Sequence, residues 1–148
     1  MTPAIILASF PLDIDSLDIG KMILELINQH FFDAHVYVGI NPAPEMDRWL
    51  SLLKESSLKI DYKVTPSELI ISSDASAYQT ALKLCKDLNR KHDNFWFVHF
   101  KSAVHKSERQ LAIHTLRNLL ENRKKIEDLL KLNKEVGLYA KDGWVNES

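Results

Sequence analysis

The chain has 148 residues, 45% of them apolar and 26% charged, which fits one globular α/β-sized domain (1–148) with room for a single hydrophobic core. With 19 basic residues against 20 acidic ones the formal charge is −1, so the sequence carries no electrostatic footprint for nucleic acid or an anionic membrane, and an anionic ligand has to be held by local groups. Cys85 is the only cysteine, which excludes an internal disulfide and a thiolate zinc cluster and fits a reducing, cytoplasmic location.

The start, Met1-Thr2-Pro3-Ala4-Ile5-Ile6-Leu7-Ala8, lacks a basic n-region and soon meets Pro11, so it does not read as a signal peptide. No later run is long enough to cross a bilayer, and no transmembrane segment is expected. Ala4 to Ser9 reads as a first buried strand, closed by Phe10-Pro11. Asp13, Asp15 and Ser16 are candidate N-caps for a helix with Ile19, Met22, Ile23, Leu26, Ile27 and His30 at helical spacing. Ala34 to Ile40 is the next strand, stopped by Asn41-Pro42-Ala43-Pro44, and Met46, Trp49, Leu50 and Leu53 then mark an apolar helix face. Leu58 to Val64 and Glu68 to Ser72 read as two short strands or one bent strand; the residues leave both open.

Ser73-Asp74 is expected to cap a helix carrying Ala77, Tyr78, Ala81, Leu82, Cys85 and Leu88 on one face and ending near Lys91 to Asn94. On that face Cys85 and Tyr78 read as core residues. The run from Phe95 to His99 follows, too short and too aromatic for a helix, and it reads as a strand buried on both faces. It ends in a polar stretch, His99-Phe100-Lys101-Ser102-Ala103-Val104-His105-Lys106. Ser107 with Gln110 forms a capping box for a long helix with Ile113, Leu116, Leu120, Ile126, Leu129 and Leu130, and Glu121 to Lys125 is a candidate break in it. Val136 to Ala140 reads as a last short strand, and Lys141 to Ser148 as a polar end with one loose Trp144.

This alternation implies a three-layer, Rossmann-like α/β domain, a mostly parallel sheet with helices on both faces and Ala4–Ser9 and Phe95–His99 at its centre. If the strand order is 3-2-1-4, the switch point lies between the first strand and the His99 strand, and ligands bind such sheets at the carboxyl ends of the strands. Ser9, Phe10, Asn41, Asp74, His99, Lys101 and Ser102 are therefore expected to converge there.

Several chemistries drop out. Neither G-x-G-x-x-G nor G-x-x-x-x-G-K-S occurs, which with only four glycines excludes both phosphate-cradling loops, and no G-x-S-x-G elbow is present. Asp13-Ile14-Asp15 is the only Asp-x-Asp, and its place at a helix start reads as capping rather than metal binding. His99 and His105 could both ligate a metal, but a single spacing of six residues without a third ligand is a weak signal, and exposed loop histidines are common. Lys101 stands out as a cation at a strand end close to a helix start, the usual way to neutralise phosphate; its plainer reading is a solvated surface lysine.

The strand Ile5-Ile6-Leu7-Ala8-Ser9, the helix Asp74 to Leu84 and the strand Phe95 to His99 together resemble the donor-binding half of GT-A-type nucleotide-sugar glycosyltransferases. In that family the second strand ends in an Asp-x-Asp that holds a divalent ion; here the place reads His99-Phe100-Lys101-Ser102. The His-x-Lys-Ser stretch, Arg109, Leu116 to Leu120 and Val136-Gly137-Leu138 are similar to rhamnan-synthesis-F-like polysaccharide proteins, over roughly positions 4 to 140. The resemblance implies a glycosyltransferase, or a domain derived from one, that binds a nucleotide-activated sugar and a glycan acceptor in polysaccharide synthesis. Lys101 and His99 would be catalytic, and Ser9, Phe10, Asn41, Asp74, Gln79, Ser102, His105 and Arg109 would bind substrate. The resemblance assigns no metal or other cofactor, because the Asp-x-Asp is missing, and the chain stops where an acceptor domain would begin. The rival expectation is a non-catalytic interaction module that associates, as a homo-oligomer or in a larger complex, through Phe31, Phe32 and Trp144.

Overall fold

The computed structural model describes residues 2–70, 73–100, 109–132, 136–140 and 143–146, with 73, 74, 109, 112, 136–140 and 143–146 described by their backbone. Strand β1 (Thr2–Ser9) leads to α1 (Ile14–His30), β2 (His35–Ile40), α2 (Met46–Glu55) and β3 (Lys59–Val64). After a short 3-10 turn (Ser67–Leu69) come α3 (Ser73–Leu88), β4 (His92–His99), α4 (Arg109–Glu121), α5 (Arg123–Leu132), β5 (Val136–Ala140) and β6 (Gly143–Asn146). The first four strands form one sheet in the order β3-β2-β1-β4, every pairing parallel, as the alternation of strand and helix requires. Among the described residues no helix is long and apolar enough to cross a membrane.

Alternate residues of β1 enter different hydrophobic clusters, as a strand's two-residue period dictates. Ile5 and Leu7 join the larger one, with Ile23 and Ile27 of α1, Trp49 and Leu53 of α2, Leu120 of α4 and Ile126 of α5. Ala4 and Ile6 join the smaller one, with Tyr37 and with Ala81 and Cys85 of α3. Cys85 is thus a core residue, and burial pushes its thiol up from the ordinary value. Helix α3 comes so close to β2 that a Cβ built on Gly39 would lie 1.9 Å from the Ala77 carbonyl oxygen; only glycine fits beneath it.

Strand β4 departs from expectation. It is an outer strand of the four-stranded sheet, while β1 and β2 are the central ones. Its burial alternates: Trp96 and Val98 are 6% and 2% exposed, Phe95 and Phe97 50% and 46%. A run buried on both faces and an aromatic run buried on one are the same letters; what separates them is whether a helix covers each face.

Other boundaries move for local reasons. Glu68 and Leu69 lie in the 3-10 turn that follows Pro66, so the second strand candidate is not formed there, and residues 71–72 lie outside the described set. Helix α3 stops at Leu88 because Asn89 takes a left-handed conformation (φ 51°) with its N–H directed to the Cys85 and Lys86 carbonyls. His92 is therefore already in the strand. The polar tract does break the long helix, with Asn122 between α4 and α5. The short strand β5 is present, but it pairs antiparallel with β6 in a separate two-stranded sheet. The Asp142-Gly143 dipeptide is a hairpin signal that the reading of residues 141–148 as a polar end passed over.

Phe31, expected at the surface, is fully buried. Its ring meets Trp96 edge-on at 4.7 Å between centroids, and the Arg123 guanidinium lies 4.5 Å from its centroid. Arg123 is held in turn by a bidentate pair with Asp33 (2.6 and 2.9 Å), by the His30 carbonyl at the end of α1 (2.9 Å) and by Glu127 (3.1 Å). Glu127 accepts from Asn94, whose side-chain oxygen accepts from the Trp96 indole. One guanidinium thus ties α5 to the end of α1 and, through Glu127, to β4. Phe32, by contrast, is exposed as expected, and the Trp144 side chain lies outside what is described.

Candidate functional site at the strand carboxyl ends

The parallel registers bring the predicted strand ends to one edge. Ala8 is aligned with His99 and Ser9 with Ile40. Beyond the ladders the Asn41 N–H donates to the Ser9 carbonyl (3.0 Å), that of Thr65 to the Ile40 carbonyl (2.8 Å) and that of Phe100 to the Ala8 carbonyl (3.1 Å). Ser9, Asn41, Thr65 and His99 therefore share the carboxyl edge.

Within that edge the two sides of the sheet differ. On the α1 and α2 side the edge is filled. The Trp49 indole donates to Ser9 Oγ (3.0 Å), and the Ser9 hydroxyl donates to the Gly39 carbonyl (2.8 Å). The Trp49 and Phe100 rings meet edge-on at 4.9 Å, and Phe10 packs against the same cluster. Gly20 makes room for this pair, since a Cβ there would lie 2.7 Å from Trp49 and 2.8 Å from Phe100. Ser9 and Phe10, read from the sequence as substrate contacts, organise the edge from beneath; Ser9 is buried and its proton is committed to β2.

On the α3 side the arrangement is more polar. The half-buried Tyr78 lies 6.1 Å from the His99 ring and 5.9 Å from Phe97, centroid to centroid. Below them buried hydroxyls link α3 to the sheet and to the 3-10 turn. Thr80 Oγ1 is 3.2 Å from Thr65 Oγ1 and donates to the Ser76 carbonyl (3.0 Å), and Ser76 Oγ donates to the Leu69 carbonyl (3.0 Å). Gly39 is what lets α3 sit this close. Asn41 is buried at the edge, and Gln79 is exposed on α3. By its backbone Asp74 occupies the first turn of α3, and Arg109 opens α4; Lys101, Ser102 and His105 lie outside the described residues.

The Asp-x-Asp at 13–15 is accounted for by capping: Asp13 Oδ1 accepts from both the N–H and the hydroxyl of Ser16, each at 2.8 Å, and Asp15 lies in the first turn of α1. Among the described residues no three His, Cys, Asp or Glu side chains gather as a metal site would require.

Sequence reasoning missed Thr65 and Thr80, although Thr65-Pro66 ends its strand much as Ser9 and Asn41 end theirs. Tyr78, which its place on the apolar stripe favours as core over ligand contact, is half-buried, with its ring near His99 at the end of β4. Compared with protein-family models, with curated proteins and with solved structures, the chain matches none.

Proposed function

We propose that the carboxyl edge between β1 and β4 binds a nucleotide-activated sugar, and that the chain is a glycosyltransferase or the donor-binding domain of one, acting in glycan or polysaccharide synthesis. The observation that carries this reading is the strand order. The chain runs outward from β1 through β2 to β3 and returns to the other side of β1 as β4, so the crevice of an open parallel sheet falls where His99 ends its strand. The clusters on the two sides of β1, one with α1, α2, α4 and α5 and one with α3, fit the three-layer frame of such domains.

In this reading Tyr78 and His99 line the α3 side of the crevice. The residues that continue from β4, Lys101 and Ser102, meet the diphosphate. Lys101 stabilises the charge that develops on the leaving diphosphate, the task a divalent ion performs in glycosyltransferases with an Asp-x-Asp, and His99, Lys106 or Arg109 supply the remaining positive charge. Asp74, Gln79, Asn41 and His105 complete the donor contacts, and a glycan acceptor binds from outside this edge.

Calorimetric titration with uridine, guanosine and thymidine diphosphate sugars, with and without manganese, tests it. The expected result is binding of one nucleotide class without metal, weakened at least about tenfold in Lys101→Ala, a loss of the size that removal of a charge-assisted contact produces. Absence of binding by all three classes overturns the reading. A second reading has its own observation: Phe95 and Phe97 expose aromatic surface along an outer strand, which suits an interaction module. Sedimentation distinguishes it, since that module self-associates or partners through β4 and its Phe95→Thr variant does not.

A further inference from the structure

The opposite, amino end of the sheet holds a cluster for which the proposed sugar site has no use. Tyr37 of β2 is fully buried in the smaller cluster, and its hydroxyl lies 2.7 Å from His92 Nε2 at the start of β4. The contact spans β1, which runs between the two strands and contributes Ala4 and Ile6 to the same cluster as Tyr37. His92 Nδ1 is 3.0 Å from the Thr2 carbonyl oxygen. A carbonyl can only accept, so Nδ1 carries the proton of the neutral imidazole and Nε2 accepts from the tyrosine hydroxyl.

His35 completes the cluster. Its ring is 5.6 Å from His92 and stacks at 6.5 Å on Tyr37. The groups facing it are Lys59 and Asp61 of β3, Arg90 between α3 and β4, and His92 of β4. Two permanent cations thus stand against one carboxylate, and that carboxylate is already held by Arg90 at 2.6 Å. Arg90 also lies 5.9 Å from the Tyr37 ring centroid.

We propose that His35, Tyr37 and His92 form an acid-sensitive latch that holds the amino end of β4 to β2 across β1 at neutral pH and releases it in mild acid. A charge on the His35 imidazole, packed against both Tyr37 and His92, enters a site with surplus positive charge. Burial first, and then Arg90, hold His35 below its ordinary value. The neutral ring therefore belongs to the folded state. The latch is intact above the ordinary histidine value of 6.5 and weakens as pH falls through it toward the lower folded value.

Amide hydrogen exchange of the full chain at about pH 7.5 and about pH 5.5, each corrected for the intrinsic rate of an unstructured peptide, tests this. Protection in residues 92–96 should fall about tenfold on acidification while that in α1 stays level, one proton taken up on opening corresponding to a tenfold change per pH unit. His35→Gln should remove most of the acid effect. Tyr37→Phe should show at neutral pH the exchange that the parent shows in acid. Should a variant fail to fold, raised salt on the parent chain gives the answer, because screening of Arg90 and Lys59 should restore part of the acid-lost protection. Equal protection of residues 92–96 at the two pH values, or an acid effect that neither His35→Gln nor salt diminishes, overturns the proposal.

Discussion

The two faces of β4 are built from neighbouring residues and end up in different worlds. Trp96 and Val98 point into the larger cluster, where α1, α4 and α5 contribute; Phe95 and Phe97 point toward the α3 side and remain half-exposed. The difference is not one of hydrophobicity, since all four side chains are apolar. It follows from supply: residues of four helices enter the cluster on one face, and α3 serves the other, seated chiefly over β1 and β2, with Tyr78 reaching Phe97 at its margin. The covered face is additionally pinned by Arg123, whereas the α3 face depends on close backbone contact at Gly39.

Three substitutions probe this contrast, from the largest expected effect to the smallest. Gly39→Ala drives a methyl group into the Ala77 backbone carbonyl, which cannot rotate away, so α3 has to lift from β2. A loss of about 3 kcal/mol or more is expected in urea denaturation. A loss below about 1 kcal/mol would mean that α3 does not sit where the contact places it.

Arg123→Ala removes the bidentate pair with Asp33, the cap on α1 and the link to Glu127. About 2 kcal/mol is expected, between the worth of an exposed pair and that of a buried one, because the arginine is mostly covered and Asp33 partly open. The hydrogen bond from Arg123 holds the Asp33 carboxyl below its ordinary value of 3.8. Its contribution is present above that value and disappears as pH falls through the lower folded one. The parent should therefore lose more stability in acid than Arg123→Ala does; parallel pH profiles would remove Asp33 from the account.

Phe95→Thr should change stability by less than about 1 kcal/mol, since half the ring is already in water and threonine favours a strand. A loss as large as that of Arg123→Ala would show that this face is covered in solution, which a sedimentation measurement on the same variant would trace to self-association.

What the sequence settled by itself was local. Asp13 and Ser16, three residues apart, specify the start of α1, and the helical period from Ile19 to Ile27 identifies its buried stripe. The polar tract at 121–125 breaks a helix because one turn without apolar residues has nothing to bury, and the alternation of strand and helix was enough for a parallel sheet with His99 at its carboxyl edge. The tertiary structure decided what depends on distant partners. Phe31 is buried because Arg123, some 90 residues later, closes over it, and Ser9 is a structural hydroxyl because Trp49 reaches it from α2. Tyr37 finds His92 across an intervening strand, at a separation of 55 residues for which no local pattern exists. Periodicity tells which residues share a face; whether that face meets a helix or water is fixed only when the chain has folded back on itself.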